Sequence, residues 1–166
     1  MIVRNWAMFR SDLADEGIKS GDDFLEWPGR THILVVAEIL RSMGWEVLGI
    51  SDMNKLGWDL GASFDDKQIG LRTAPVGKII LIVEDMNPGR TWHLSRKPPG
   101  QVFTDLLSGL DAALHADGRF HDIRWFTRRE LDCRAPGAVA AVSDVEELAG
   151  LPPRPRQEWD HPWRDR

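Results

Sequence analysis

The fold is decided by the stretch from Trp45 to Val83, which reads WEVLGISDMNKLGWDLGASFDDKQIGLRTAPVGKIILIV. Between Trp58 and Phe64 apolar and polar residues alternate, which is typical of a strand with one face buried and the other in water. Residues 79–83 are continuously apolar, as in a central strand that is covered on both faces. Turn-forming residues separate these runs. The stretch therefore predicts a meander of short antiparallel strands.

Helical spacing flanks this meander on both sides. Apolar residues three and four positions apart predict a helix over 31–43, with Thr31 as a candidate N-cap and Gly44 as its left-handed end. A second apolar stripe predicts a helix from about Phe103 to Leu114. The predicted strands are 45–51, 58–64, one that contains Ile69 and Leu71, 79–83, one that contains Trp92 and Leu94, 120–126 and 138–142, with a turn over 74–77.

This order of elements predicts a two-layer α+β domain, in which a mostly antiparallel sheet of about five to six strands carries two main helices on one face. We expect a single domain over 1–150, because domains commonly hold roughly 100–200 residues. Within it, residues 1–30 are expected to form an irregular acidic segment. Ser143 is expected to begin a short final helix with a capping box. The proline-rich residues 151–166 predict an extended tail.

Composition excludes several classes of protein. The chain has 166 residues, one cysteine and a formal charge of −5. A lone Cys133 supports neither a disulfide framework nor a Cys-based zinc cluster, and it fits a reducing compartment. The first residues become acidic too early for a signal peptide, and no apolar run approaches the ~18 residues of a membrane helix. We therefore expect a soluble, cytoplasmic protein that is not bound to a membrane.

Sequence motifs for catalysis are missing. The chain contains no G-x-S-x-G elbow, no glycine-rich phosphate loop and no H-E-x-x-H pair, and its five histidines are scattered. No cofactor and no metal are therefore predicted. The sequence leaves enzymatic activity undecided but favours a binding protein over an enzyme.

One enzyme alternative rests on the order of elements. That order is loosely similar to the core of the PD-(D/E)xK nucleases, and the resemblance implies a metal-dependent hydrolase of degenerate type. Its strand carboxylates, and hence its metal ligands, would be Asp59, Glu84 and Asp85. The position two after Glu84 holds Met86 where the motif has lysine, so the resemblance covers the element order only.

Charge and tryptophan content favour contact with another protein. Residues 11–27 carry six carboxylates against one lysine, a local balance of −5 that equals the net charge of the chain. Such an acidic chain makes nucleic acid an unlikely partner, since phosphate neutralisation supplies most of that affinity. The chain has eight Trp and no Tyr. Those in irregular or terminal segments either wrap the domain's own sheet or form a partner surface; they are Trp6, Trp27, Trp159 and Trp163.

These observations predict a small acidic binding protein with a basic protein partner, in one form an inhibitor or immunity-type protein that neutralises a basic toxin or enzyme. A second alternative is a homodimeric accessory or secretion-chaperone-like protein that pairs through a helix face or a sheet edge. The predicted binding residues are Asp12, Asp15, Glu16, Asp22, Asp23, Glu26, Trp27, Trp159 and Trp163.

Overall fold

The structure is a computed structural model that describes residues 1–14, 17–20, 23–76, 78–86 and 99–144. The helices in these residues are α1 (Arg30–Ser42), α2 (Gln101–Ala116) and α3 (Arg128–Asp132), with a single 3-10 turn over Asn54–Leu56. The strands are β1 (Ile2–Val3), β2 (Trp6–Ser11), β3 (Ile18–Ser20), β4 (Asp23–Glu26), β5 (Glu46–Asp52), β6 (Trp58–Phe64), β7 (Lys67–Val76), β8 (Lys78–Asp85), β9 (Phe120–Phe126) and β10 (Val142–Ser143).

Six of these strands form one antiparallel sheet in the order β5-β6-β7-β8-β2-β9. Two short pairs, β1 with β10 and β3 with β4, lie beside it. The predicted α+β class is confirmed. The strand predicted over 58–64 has those bounds in the structure, whereas the turn expected at 74–77 is wrong for 74–76, because β7 continues through Pro75 to Val76.

The expectation of an irregular segment over residues 1–30 is wrong. β2 lies between β8 and β9 and is therefore an inner strand of the sheet. Its Ala7 and Phe9 are buried in the core, while Trp6 and Met8 on the other face are half-buried. Such a strand is apolar on both sides, so it does not alternate as a half-exposed strand does.

Helices α1 and α2 pack against one face of the sheet and share its core. Residues at helical spacing on α1 are buried there, among them Ile33, Val36 and Leu40. The helix begins at Arg30 rather than at the expected Thr31, because Gly29 (φ 109°) turns the chain just before it. Its predicted end at Gly44 is confirmed, with φ 86° there and the amide of Trp45 donating to the Leu40 carbonyl at 2.9 Å.

A polar anchor joins α2 to the sheet. Trp125 of β9 is fully buried, and its indole N–H donates to Asp111 Oδ1 of α2 at 2.6 Å. The other oxygen of Asp111 accepts from the amide of Ala141 at 3.2 Å. A buried indole N–H needs an acceptor, so this carboxylate holds the helix, the strand and the following chain together.

In the ranges that the structure describes, the opposite face of the sheet is covered at one end. There α3 and the loop after it lie over β2 and β9: the Arg128 guanidinium is 5.0 Å from the Trp6 ring, and Phe126 is buried although it faces away from the main core. An enclosed ion pair holds α3 in place, because Arg4 Nη2 lies 3.0 Å from Glu130 Oε1. Ile82 of β8 is also buried on this side, and among the described residues the outer face is left open from β5 to the Glu84 end of β8.

Several predicted elements lie outside the described residues. These are the strand with Trp92 and Leu94, the final helix beyond Asp144 and the tail over 151–166. Ser143 itself belongs to β10. In the described part of the chain, no helix combines the length and the apolar character that a bilayer span requires.

Candidate functional site

The open face of the sheet carries a shallow trough of about 300 Å³ between β5 and β8. Its floor is formed by Gly61 of β6 and Gly70 of β7, which lie directly opposite each other. Gly70 in turn lies opposite Glu84 of β8. Leu48 and Met86 stand at the sides and are 56% and 49% exposed. Exposed apolar side chains beside a floor without side chains make a surface that another molecule can cover.

Neither the backbone nor the packing requires these two glycines. Their φ angles are not left-handed, and β6 and β7 pair without a register shift. A Cβ on Gly61 would have Leu48 Cβ as its nearest neighbour at 3.9 Å, and one on Gly70 would meet Met86 Cγ at 3.4 Å. Glycine inside a strand costs roughly 0.5–1 kcal/mol relative to alanine and often marks a close approach by a ligand or another backbone.

Among the residues that the structure describes, three charged side chains border the trough. Arg72 of β7 lies opposite Asp59 of β6, and its Nε and Nη2 donate to the two carboxylate oxygens at 2.7 and 3.3 Å. Burial raises the pKa of Glu84 above its ordinary value; Arg72 opposes this shift, and the negative charge of Asp59 adds to it. One cation therefore lies among two carboxylates, and the site keeps an excess of negative charge when Glu84 is ionised.

The metal ligands that the nuclease resemblance implies do not converge. Glu84 and Asp85 are consecutive residues of a strand and therefore point to opposite faces of the sheet. Both oxygens of Asp59 accept hydrogen bonds from Arg72. In the ranges that the structure describes, no group of three or more histidine, cysteine or carboxylate side chains could hold a metal ion.

The predicted acidic surface is only partly described. Asp12 follows β2 and is exposed, with its Oδ2 at 2.7 Å from Nε2 of His121 on β9. Asp23 and Glu26 lie on β4, in the hairpin with β3. Among the other predicted binding residues, Trp27 precedes α1, and those outside the described residues are Asp15, Glu16, Asp22, Trp159 and Trp163.

Two tryptophans that the sequence left without a place belong to the fold. Trp6 begins β2, where the Arg128 guanidinium covers its ring. Trp27 is half-buried, and its carbonyl accepts a hydrogen bond from the indole N–H of Trp58 at 2.8 Å. For these two residues the structure agrees with the interpretation that the N-terminal segment packs on the domain itself.

The segment around β9 contains Arg124, Arg128 and Arg129. Its aromatic rings do not form a platform on which nucleic-acid bases could stack. Trp125 is fully buried between the sheet and α2, and Arg128 is engaged by Asp132, with an Nε to Oδ1 distance of 3.1 Å. Stacking on bases needs exposed rings beside free cations.

A second hollow of about 340 Å³ lies beneath α3 and the following loop, with Met8, Arg124 and Phe126 in its wall.

Comparisons with known proteins add no assignment: no family model, curated protein or solved structure matches the chain. The function must therefore be inferred from the site itself. The sequence predicts Asp59 and Glu84 as acidic strand residues, whereas the glycine floor between them is a finding of the structure. The one available signal was the repeated glycine at outward positions of two alternating strands, Gly61 and Gly70.

Proposed function

We propose that the protein is a small acidic binding protein that acts by contact with a basic partner protein, in the manner of an inhibitor or immunity protein. The observation that carries the proposal is the open half of the sheet. Both main helices pack on the other face, and within the described part of the chain α3 lies over β2 and β9. What is left bare is an acidic trough with exposed Leu48 and Met86, a combination that suits a partner surface.

The charge distribution supports a basic partner. The chain has a net charge of −5, and residues 11–27 contribute a local balance of the same size. Part of this segment forms the β3–β4 hairpin. Opposite potentials on two proteins raise the rate of encounter, and the effect weakens as salt screens it. In this proposal the acidic segment attracts the partner, while the trough supplies short-range contacts.

The two alternatives have less support. A metal-dependent hydrolase needs carboxylates that converge, whereas Arg72 engages Asp59, and Asp85 points away from Glu84. A homodimer paired through the sheet edge meets obstacles at both edges. β5 has a register shift between Val47 and Gly49, and Trp125 of β9 already bridges to Ala138. Bulges and covered edges discourage strand pairing between copies.

The test is a comparison of association rates for a basic protein recovered from the source lysate on the immobilised chain. Reversing Asp22 and Asp23 to lysine should slow association by about tenfold at low salt, with the difference shrinking at high salt. The matched control reverses Asp65 and Asp66 in the β6–β7 turn, which changes the net charge equally. An unchanged rate after the first reversal, or an equal loss in the control, would reject the acidic segment as the attracting surface.

A further inference from the structure

We propose that the glycine-floored trough binds one long basic side chain, arginine or lysine, presented by the partner protein. The inference rests on the proposed function and goes further by naming which group the partner inserts and where it lies. In this arrangement the aliphatic stem crosses Gly61 and Gly70 between Leu48 and Met86, and the cationic head reaches Glu84.

The shape of the trough fits one side chain. Its volume of about 300 Å³ lies at the small end of the roughly 300–1,000 Å³ range of small-molecule pockets. The floor consists of backbone because Gly61 and Gly70 have no side chains, so an extended stem can lie against the sheet once the flexible Met86 side chain moves off Gly70. Arginine and lysine bury such stems along apolar surface while their charged ends stay at polar groups.

The chemistry at the end of the trough selects a cation. Asp59 is already satisfied by both donor nitrogens of Arg72. Glu84 is half-buried and interacts with Arg72 through charge, but the described lining of the trough holds two carboxylates, Asp59 and Glu84, against one cation. A guanidinium or ammonium group beside Glu84 would balance this charge and form a charge-assisted hydrogen bond.

The walls explain why the ligand has an apolar part. Leu48 is the extra residue of the register shift in β5, which turns its side chain onto the open face beside Gly61. Met86 follows β8 and reaches over Gly70. Methionine adapts its shape to varied ligands, and it occurs often on binding surfaces for this reason.

The experiment uses NMR of the 15N-labelled full chain, read at the backbone amides of Gly61 and Gly70. The probes are N-acetyl-arginine amide and N-acetyl-citrulline amide, which match in shape and differ in charge. We expect saturable shifts with the arginine probe and affinity weaker by about tenfold or more with citrulline. Equal affinity for the two probes, or no saturable shift with arginine, overturns the proposal.

Variants locate the site. Glu84→Gln should abolish the preference for arginine over citrulline, while Asp85→Asn, the same change one residue along on the other face, should keep it. Gly61→Ala should weaken binding of both probes by narrowing the floor. The control Gly118→Ala, where a new Cβ has no neighbour within 4 Å, should not. Equal losses in a variant and its control overturn the assignment to the trough.

This outcome can be separated from that of the proposed function. A chain that does not bind the arginine probe but still associates with a basic protein in a salt-dependent manner rejects the trough and retains the binding function. A chain that binds the probe but associates with no basic protein rejects the inhibitor proposal and retains a site for basic side chains.

Discussion

The ion pair between Arg4 and Glu130 is fully enclosed, with side-chain exposures of 0% and 1%. Arg4 Nε donates to both carboxylate oxygens at 3.1 and 3.0 Å, and Nη2 donates to one of them at 3.0 Å. The same carboxylate accepts from the Thr127 amide at 2.6 Å, and the Ser143 hydroxyl accepts from Arg4 Nη1 at 2.8 Å. The pair therefore joins the start of the chain, α3 and β10.

The variant Glu130→Gln keeps the shape of the side chain and removes its charge, which leaves the Arg4 guanidinium buried without a counter-ion. Removing one partner of a buried pair costs about 3–5 kcal/mol. Because whole proteins are stable by only about 5–15 kcal/mol, we expect a much less stable chain. For a chain of this size each kcal/mol shifts Tm by about 2–4 °C, so Tm should fall by roughly 6–20 °C.

The effect depends on pH with a definite sign. Burial raises the pKa of Glu130, but hydrogen bonds from Arg4 and Thr127 outweigh it, so the pKa lies below its ordinary value of 4.5. The folded chain then holds this proton less tightly than the unfolded chain does. The stabilisation is complete above pH 4.5 and is lost as the pH falls through the lowered pKa. The difference between parent and Glu130→Gln should therefore narrow in that acidic range.

Urea unfolding followed by tryptophan fluorescence measures these free energies. The control is the double variant Arg4→Met with Glu130→Leu, which removes both charges together. It should return to within about 1–2 kcal/mol of the parent, since apolar replacements of a buried pair are often neutral and the lost capping box costs about 1 kcal/mol. A single variant within about 1 kcal/mol of the parent at pH 7 would refute the assignment of a large stabilising role to this pair.

Three further substitutions test the open face and its surroundings. Glu84→Gln should raise the free energy of unfolding at pH 7 by up to about 1 kcal/mol, because burial raises the pKa of Glu84 and so penalises its ionised form. In the same urea titrations this gain should vanish below the ordinary pKa of 4.5, and a loss of stability at pH 7 would contradict the reasoning. Gly57→Ala should lower the free energy of unfolding by more than about 2 kcal/mol, since φ is 106° there and the new Cβ would lie 1.8 Å from the carbonyl oxygen of Thr73. Gly61→Ala, in ordinary strand backbone, should be neutral or stabilising by about 0.5 kcal/mol, and equal effects of the two would contradict this distinction.

Local periodicity predicted the elements whose two faces differ. α1 and β6 are each buried on one side, so apolar residues repeat at the helical spacing in α1 and at the strand spacing in β6. The predicted bounds of α1 differ from the observed ones by one residue, and those of β6 are correct. β2 was missed because Trp6, Ala7, Met8 and Phe9 form a continuous apolar run in which no period can be read. Its position between β8 and β9 depends on pairing with residues far along the chain.

The site was less predictable than the fold for the same physical reason. Arg4 and Glu130 are 126 residues apart, and each resembles an ordinary surface charge until the fold brings them together. Asp59 and Glu84 were identified as strand carboxylates, but the cation between them is visible only once the register pairs Asp59 with Arg72. The nuclease alternative would therefore place a metal where the structure has an arginine.

Some residues lower the free energy of unfolding although the fold does not require them, and they lie together on the open half of the sheet. Gly61 and Gly70 occupy regular strand positions where alanine would fit or nearly fit, and Glu84 is half-buried at a cost to its charged form. On the helix-covered face, by contrast, the buried indole N–H of Trp125 donates to Asp111. Departures from local preference that cluster at one surface are expected where function, rather than folding, selects the residues. In the proposed function, the acidic segment over 11–27 gives long-range attraction to a basic partner, and the trough adds a shape that can distinguish one basic partner from another.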